Sequence, residues 1–366
     1  MVRILFFTSR LSIGGTEKAM LSIANKLDPN QFQVTILTLF GGGELENEIA
    51  KHVKYQHVLP QFIHGYARLI KPIAYIWHWV VKSQFDIEIA VGCSLECKFI
   101  LAGSSRKSQK ILWYHMDASS IYPNDRKIYA RLASRMNHVI CPSESAKSSF
   151  QRYVATEVPV TSLYNPIDVE TIIQKSKAVP DDLPAKHGYI ISIGRLEHGK
   201  NLPLLLECMA LLVKENPAQR LLIIGDGTQR KEMEDLTKQY ELEKYVTFLG
   251  QKVNPYPYLR AAGLLVSLSE YESLGLILLE AMCLGVPVLS APNGGAKEVL
   301  GADYATVWAE GKVENIACAM KKLLDNERQD NESMAHLDSR FNLNVCLHRF
   351  ENFFFQLQNV DGRLPA

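Results

Sequence analysis

No stretch of this chain reaches the roughly 20 uninterrupted apolar residues that a membrane-spanning helix needs, so a membrane-embedded protein is not expected. Neither sign of charge dominates. The 40 Lys and Arg against 39 Asp and Glu leave a formal net charge of +1, too little to make nucleic acid the main partner. The Gly-x-Gly-x-x-Gly fingerprint is missing, which disfavours a dinucleotide cofactor. The 7 cysteines are odd in number and lack framework spacing, as expected of free thiols in a reducing compartment. Cys93 and Cys97 have no second Cys/His pair to complete a zinc site, and no metal is expected. The start, Met1-Val-Arg-Ile-Leu-Phe-Phe-Thr, turns polar too soon for a signal peptide and reads as a strand, which makes the cytoplasm the expected location.

What is present is a pattern. A hydrophobic content of 47% with 22% charged residues suits a soluble globular protein, and 366 residues suffice for two domains. In the first half, Arg3–Thr8, Val34–Leu39, Ile87–Val91, Lys110–Tyr114 and His138–Pro142 read as strands. Lys18–Leu27, Ile70–Lys82 and Arg126–Met136 have helical periodicity. The second half repeats the theme. Strands are expected at Tyr189–Ile193, Arg220–Ile224, Val246–Leu249, Leu264–Leu268 and Val286–Ser290. Helices are expected at Leu202–Glu215, Gln229–Tyr240, Pro257–Ala262 and Leu276–Leu284. Such alternation predicts parallel sheets covered on both faces: an α/β protein of two doubly wound, Rossmann-like domains with a cleft between them. Residues 1–168 and 169–344 are the expected domains, joined near Asn165-Pro-Ile-Asp168 and the polar stretch Lys175–His187. A last helix over Val345–Leu357 carries Phe350, Phe353, Phe354 and Phe355.

The most informative run is Ser269-Glu-Tyr-Glu272-Ser-Leu274-Gly275-Leu276, continuing through Glu280 to Leu289. Gly275 permits a tight turn, so that an unobstructed helix N-terminus follows. The first N–H groups there lack partners and the dipole is positive, which favours phosphate. Glu272 and Glu280 cannot bind phosphate, but they accept hydrogen bonds from sugar hydroxyls. A diphosphate with hydroxyl-bearing groups on both sides is the outline of a nucleotide-sugar.

The pattern Glu-x-x-Gly-Leu-x-x-x-Glu-Ala-Met-x-x-Gly-x-Pro-Val resembles the Glu-x7-Glu signature of retaining GT-B glycosyltransferases of family four, glycosyltransferase group 1. Many members have Phe where this chain has Leu274. The resemblance implies that Glu272 holds the donor sugar and Glu280 the ribose, with Leu274, Gly275 and Leu276 at the diphosphate. Gly194-Arg195-Leu196, followed by Lys200-Asn201, resembles the family motif whose Arg and Lys neutralise the diphosphate. A forked Arg contact and a compact Lys charge suit that task. Gly225-Asp226-Gly227 matches the turn at the base or ribose, and its glycines suggest close backbone approach of a nucleotide. Asn293–Gly295 reads as no more than a tight turn. The loop Ile13-Gly14-Gly15-Thr16-Glu17 is either a plain turn or, by resemblance, a backbone contact to the donor phosphates, with Thr16 toward the acceptor. Trp113-Tyr114-His115-Met116-Asp117 ends a strand where the family often carries His or His-Asp, a resemblance that implies His115 lies beside the reacting centre. There it hydrogen-bonds a sugar hydroxyl or assists proton removal, while Asp117 orients it or touches the acceptor; a structural His is the alternative.

No carboxylate suits the covalent nucleophile of a double displacement, and the family is thought to react on one face, with the departing phosphate taking the acceptor proton. The Asp-x-Asp of metal-dependent sugar transferases is missing; the enzyme is expected to need neither metal nor cofactor. The implied reaction moves a hexose or N-acetylhexosamine from a nucleoside-diphosphate sugar, UDP-sugar favoured. Its acceptor is a hydroxyl of a glycan or polyprenyl-diphosphate-linked glycan, giving an α-linkage in bacterial surface-polysaccharide synthesis. A nucleotide-sugar epimerase and a non-catalytic nucleotide-sugar-binding protein are the rivals. In the family the C-terminal helix crosses back to the first domain, the arrangement expected for 345–366, although a plain terminal helix is nearly equal from the residues alone. Residues 62–82 mix Tyr66, Tyr75, Trp77 and Trp79 with Arg68, Lys71 and Lys82. They read equally as an anionic membrane contact, with peripheral attachment to the cytoplasmic face, or as a core helix.

Overall fold

The computed structural model describes residues 1–61, 70–81, 85–92, 94–103, 107–184, 188–301, 312–325 and 340–359. The chain divides into two compact units, one comprising Met1–Pro166 and Leu343–Ala366, the other Ile167–Asn342. The division falls just after Pro166, two residues before the position expected.

The first unit is built on a 7-stranded sheet in the order β3-β2-β1-β4-β5-β6-β7. Its strands are β1 (Val2–Thr8), β2 (Phe32–Phe40), β3 (Lys54–Leu59), β4 (Ile87–Gly92), β5 (Gln109–Tyr114), β6 (His138–Cys141) and β7 (Val160–Ser162), and every pairing is parallel. The period of two along β1 sorts its side chains onto two cores. Leu5 and Phe7 join α2 (Ile70–Val81), α3 (Ser94–Gly103), α4 (Pro123–Ala133) and α5 (Glu144–Tyr153) on one face. Ile4 and Phe6 join α1 (Gly15–Ala24) and the C-terminal helix on the other. In that helix, which begins at Leu343, Phe350 and Phe354 are fully buried and Phe350 lies 5.0 Å from the Trp113 ring. Burying aromatic rings of this size dominates local packing energetics.

The second unit has a 5-stranded sheet in the order β10-β9-β8-β11-β12, again parallel. The strands are β8 (Ile190–Ile193), β9 (Leu221–Ile224), β10 (Val246–Gly250), β11 (Leu264–Ser267) and β12 (Val288–Ser290). Around it lie α6 (Val169–Lys175), α7 (Leu202–Glu215), α8 (Arg230–Gln239), α9 (Tyr256–Ala261), α10 (Leu276–Cys283), α11 (Gly294–Leu300) and α12 (Val313–Asp325); the C-terminal helix is α13 (Leu343–Asn359). In each sheet the strand order reverses once, between β1 and β4 and between β8 and β11. Loops leaving the carboxyl ends at such a switch point diverge and leave room for a ligand.

The sequence reading missed β3, β7, α3, α5, α6, α11 and α12. Strand β3 runs along a sheet edge with no fully buried residue, and α5 buries only Ala146 and Phe150. Neither carries the apolar run that marks an element from sequence. Of the stretch 62–82, residues 62–69 and 82, and the side chains after Trp77, lie outside the described residues. Trp77 packs in the core and is no membrane anchor, whereas Tyr75 is 66% exposed. Among the described residues no helix is long and apolar enough to cross a membrane.

Candidate active site

In the second unit, three loops converge at the carboxyl edge of β8, β9 and β11. The loop after β8 carries exposed Arg195, then a 3-10 turn over His198–Lys200, then Asn201 in the left-handed region at φ 53°, which starts α7. Lys200 Nζ is thereby brought 2.5 Å from Glu272 Oε1 on the loop after β11. The backbone reinforces that pairing, since Glu270 N donates to Gly199 O at 2.9 Å. Arg195 makes no ion pair among the described residues. Its charge helps to hold the Glu197 carboxyl below the usual range, a shift owed first to the Thr228 hydroxyl.

Gly275 caps α10 at φ 85°, with no side chain closing the helix end and no acidic residue in the first turn. The N–H groups of Leu276 and Ile277 therefore belong to an unneutralised N-terminus beside Lys200 and Glu272. Glu280 follows Leu276 by one turn, on the same side of the helix. It is 8% exposed and accepts from the Tyr256 hydroxyl at 3.0 Å. One carboxylate at the mouth and one a turn deeper, with cations and a helix dipole between, can hold a diphosphate flanked by hydroxyls.

A Cβ on Gly225 would lie 1.8 Å from Gly194 O, and one on Gly227 would lie 2.5 Å from Leu196 O. These glycines let two loops of the protein pass each other closely. Asp226 between them is exposed and caps the Gly227 N–H at 2.8 Å. Asn293–Gly295 is more than a turn. Asn293 caps α11 through Ala296 N and donates to Ser269 O, each at 2.9 Å. Gly295 N donates to Glu272 O at 3.2 Å, and a Cβ there would strike the backbone of Glu272 and Leu274. Helix α11 thus props the Glu272 loop, a role with no signal beyond the paired glycines.

The first unit holds Gly14, Gly15, Thr16, His115 and Asp117, all at the carboxyl edge of its sheet. Gly14 begins α1 without a side-chain cap, and the position of a Cβ on it lies 2.4 Å from Glu17 Oε2. The Glu17 carboxylate is therefore folded back over the same N-terminus that was expected to meet phosphate. His115 is half-buried at the end of β5, and its Nδ1 lies 3.4 Å from Asn165 Nδ2. With the amide donating, Nε2 carries the ring proton, and it has no partner among the described residues. Asp117 does not orient this ring. Its Oδ1 is taken by Ser119 N, Ser119 Oγ and Ser149 Oγ, because it caps the 3-10 turn Ala118–Ser120. Asn165, distant in sequence and 3% exposed, is the neighbour that reasoning from local spacing missed.

Desolvation pushes the His115 imidazole down to about 3, so the ring is neutral near pH 7. Unfolded, it takes a proton near pH 6.5. Its contribution to stability is full above that value and is lost as pH falls from about 6.5 toward 3. Denaturant unfolding at pH 7 and about pH 4.5 checks this, since His115→Gln should lose less stability between the two than the wild type. A neutral ring whose Nδ1 is engaged can donate at Nε2.

The description "Glycosyl transferases group 1" matches residues 174–338, and "Glycosyltransferase Family 4" matches residues 13–171. The chain belongs to these glycosyltransferases. A Campylobacter jejuni N-acetylgalactosamine-N,N'-diacetylbacillosaminyl-diphospho-undecaprenol 4-alpha-N-acetylgalactosaminyltransferase is 33% identical over 168 residues, 45% of this chain and 44% of the relative. A second C. jejuni enzyme, an alpha-1,4-N-acetyl-D-galactosaminyltransferase named for a diNAcBac-PP-undecaprenol glycan, is 26% identical over 82% of each chain. Among solved structures, Anabaena HepE in complex with UDP and glucose superposes with a TM-score of 0.79 at 19% identity, covering 97% of this chain and 100% of that one. Sucrose-phosphate synthase of Thermosynechococcus elongatus superposes at 0.81 with 17% identity, covering 98% and 100%. The glycosyltransferase has the GT-B fold.

Proposed function

We propose that this glycosyltransferase moves a hexose or N-acetylhexosamine from a nucleoside-diphosphate sugar, a UDP-sugar in our reading, to a hydroxyl of a glycan or lipid-linked glycan. The anomeric configuration is retained, giving an α-linkage in surface-polysaccharide synthesis. The observation that carries the reading is the Lys200–Glu272 pair beside the uncapped N-terminus of α10, with Glu280 one turn further along. Lys200 and Arg195 neutralise the diphosphate together with the N–H groups of α10. Glu272 accepts from hydroxyls of the transferred sugar and Glu280 from the ribose. His115 donates from Nε2 to a sugar hydroxyl, and Thr16 and Asp117 belong to the acceptor side. The anomeric carbon–oxygen bond to phosphate breaks, the acceptor oxygen bonds to that carbon on the same face, and the departing phosphate takes the acceptor proton. The protein supplies position and charge, with no covalent intermediate and no metal. The C. jejuni relatives, named for undecaprenol-diphosphate glycans, and the UDP complex of HepE support the choice of substrates.

A thermal-shift panel of UDP-, GDP-, ADP- and dTDP-sugars tests the reading, followed by turnover with the best binder. A bound donor at a hundredfold over its Kd stabilises by about 2.7 kcal/mol. Release of free epimerised nucleotide-sugar would favour an epimerase, and binding without turnover a non-catalytic protein. Absence of any shift would remove the donor-site assignment.

A further inference from the structure

The first unit carries a second concave feature, unrelated to the residues assigned above. Helices α2, α3 and α4 enclose a groove of about 660 Å³. Four cations line it: Lys71 from α2, Lys98 from α3, Arg131 from the last turn of α4, and Arg135 just after that helix ends. No acidic residue lines it, and none of the four cations makes an ion pair among the described residues. The chain as a whole is nearly neutral, so this concentration of one sign is local.

Between the cations the lining is apolar. Tyr75 is 66% exposed, Ile76 59% and Ile128 44%. On α4, Ile128, Arg131 and Leu132 recur at helical spacing, which puts apolar and basic groups on one stripe, and Arg135 follows two residues after the helix ends. A soluble polyanion needs the charges but gains nothing from an exposed Ile pair and a Tyr. An apolar ligand needs the Ile pair but would leave four cations uncompensated. A bilayer with anionic headgroups satisfies both: phosphates meet the Lys and Arg, while Tyr75, Ile76 and Ile128 enter the headgroup–acyl boundary.

We propose that this groove, formed by α2, α3 and α4, is a docking surface for an anionic phospholipid bilayer. It shares Lys71, Tyr75 and Ile76 with the segment 62–82, in which Trp77 is buried, and adds α3 and α4 from outside that stretch. The proposal uses no donor-site residue, so its failure would leave the transferase reading standing.

Vesicle flotation of the full chain tests it. Vesicles of phosphatidylcholine with one third phosphatidylglycerol should carry the protein, vesicles of phosphatidylcholine alone should not, and high salt should release it. Each Lys or Arg near an acidic surface contributes about fivefold in affinity, so Arg131→Glu with Arg135→Glu should weaken binding by at least about thirtyfold. Because both side chains are exposed, folding should survive, which circular dichroism checks; Lys71→Gln with Lys98→Gln serves as a milder second pair. Lys238→Glu, on α8 of the other unit, should bind as the wild type does. Tyr75→Ser with Ile76→Ser should also weaken flotation while leaving turnover of a soluble acceptor unchanged. Equal binding to neutral vesicles, or wild-type flotation by both cation variants, would overturn the proposal. So would displacement from vesicles by millimolar inorganic diphosphate, which would make the groove a site for a soluble anion.

Discussion

Two helices of this protein begin with a bare glycine, and they differ in what faces the exposed N–H groups. At α1 the Glu17 carboxylate folds back over Gly14, so the positive helix end already has an anion of its own. At α10 the first turn has no acidic residue, and the nearest carboxylate, Glu272, is held by Lys200. Glycine at a helix start is thus a device for exposing backbone. Whether the exposed end is available for phosphate depends on the charge at the third helical position and on neighbouring loops.

The strongest way to break the α10 site is Lys200→Ala. It removes a cation from the diphosphate leaving group of the proposed reaction and leaves Glu272 without its partner, and turnover should fall by about a hundredfold or more. Single-turnover kinetics with saturating donor measures this, and a loss below tenfold would contradict the assignment. The glycines separate next. Gly275→Ala forces a side chain into the left-handed region at φ 85° and against Leu278, costing about 1–2 kcal/mol. Gly14 is extended at φ −163° and meets only the flexible end of Glu17, so Gly14→Ala should cost about 0.5 kcal/mol. Urea unfolding of the two variants side by side tests the difference. The mildest change sharpens the comparison most. Glu17→Gln uncovers the end of α1, and if Gly14 and Gly15 contact the donor diphosphate, donor affinity should rise about two- to fivefold. Calorimetric titration would show it, and an unchanged Kd would remove Gly14 and Gly15 from the donor site.

Much of the fold is legible without coordinates. Apolar runs such as Val2–Thr8 and Leu221–Ile224, separated by amphipathic segments, specify parallel strands and covering helices. Edge strand β3 and the polar α5 are not legible, because they bury too little to leave a periodic trace. Of the candidate site, Arg195, Lys200, Glu272, Gly275 and Glu280 were found from motif and spacing. Their mutual arrangement was not. The family resemblance assigned Lys200 to phosphate and Glu272 to sugar, and gave no hint that the two meet at 2.5 Å.

By itself the sequence determined the α/β class, the two-unit division near Asn165–Asp168 and the Glu-x7-Glu run, because each is written in local pattern or contiguous residues. Tertiary structure alone decided which glycines pass protein backbone, as Gly225, Gly227 and Gly295 do. It decided that Asn165 and not Asp117 attends His115, and that the Phe-rich last helix packs on the first sheet. It also gathered cations from α2, α3 and α4 around one groove. These features join residues tens to hundreds of positions apart. Such contacts form only when the chain closes its loops and side chains from different elements compete for the same space, information that no local window of sequence contains.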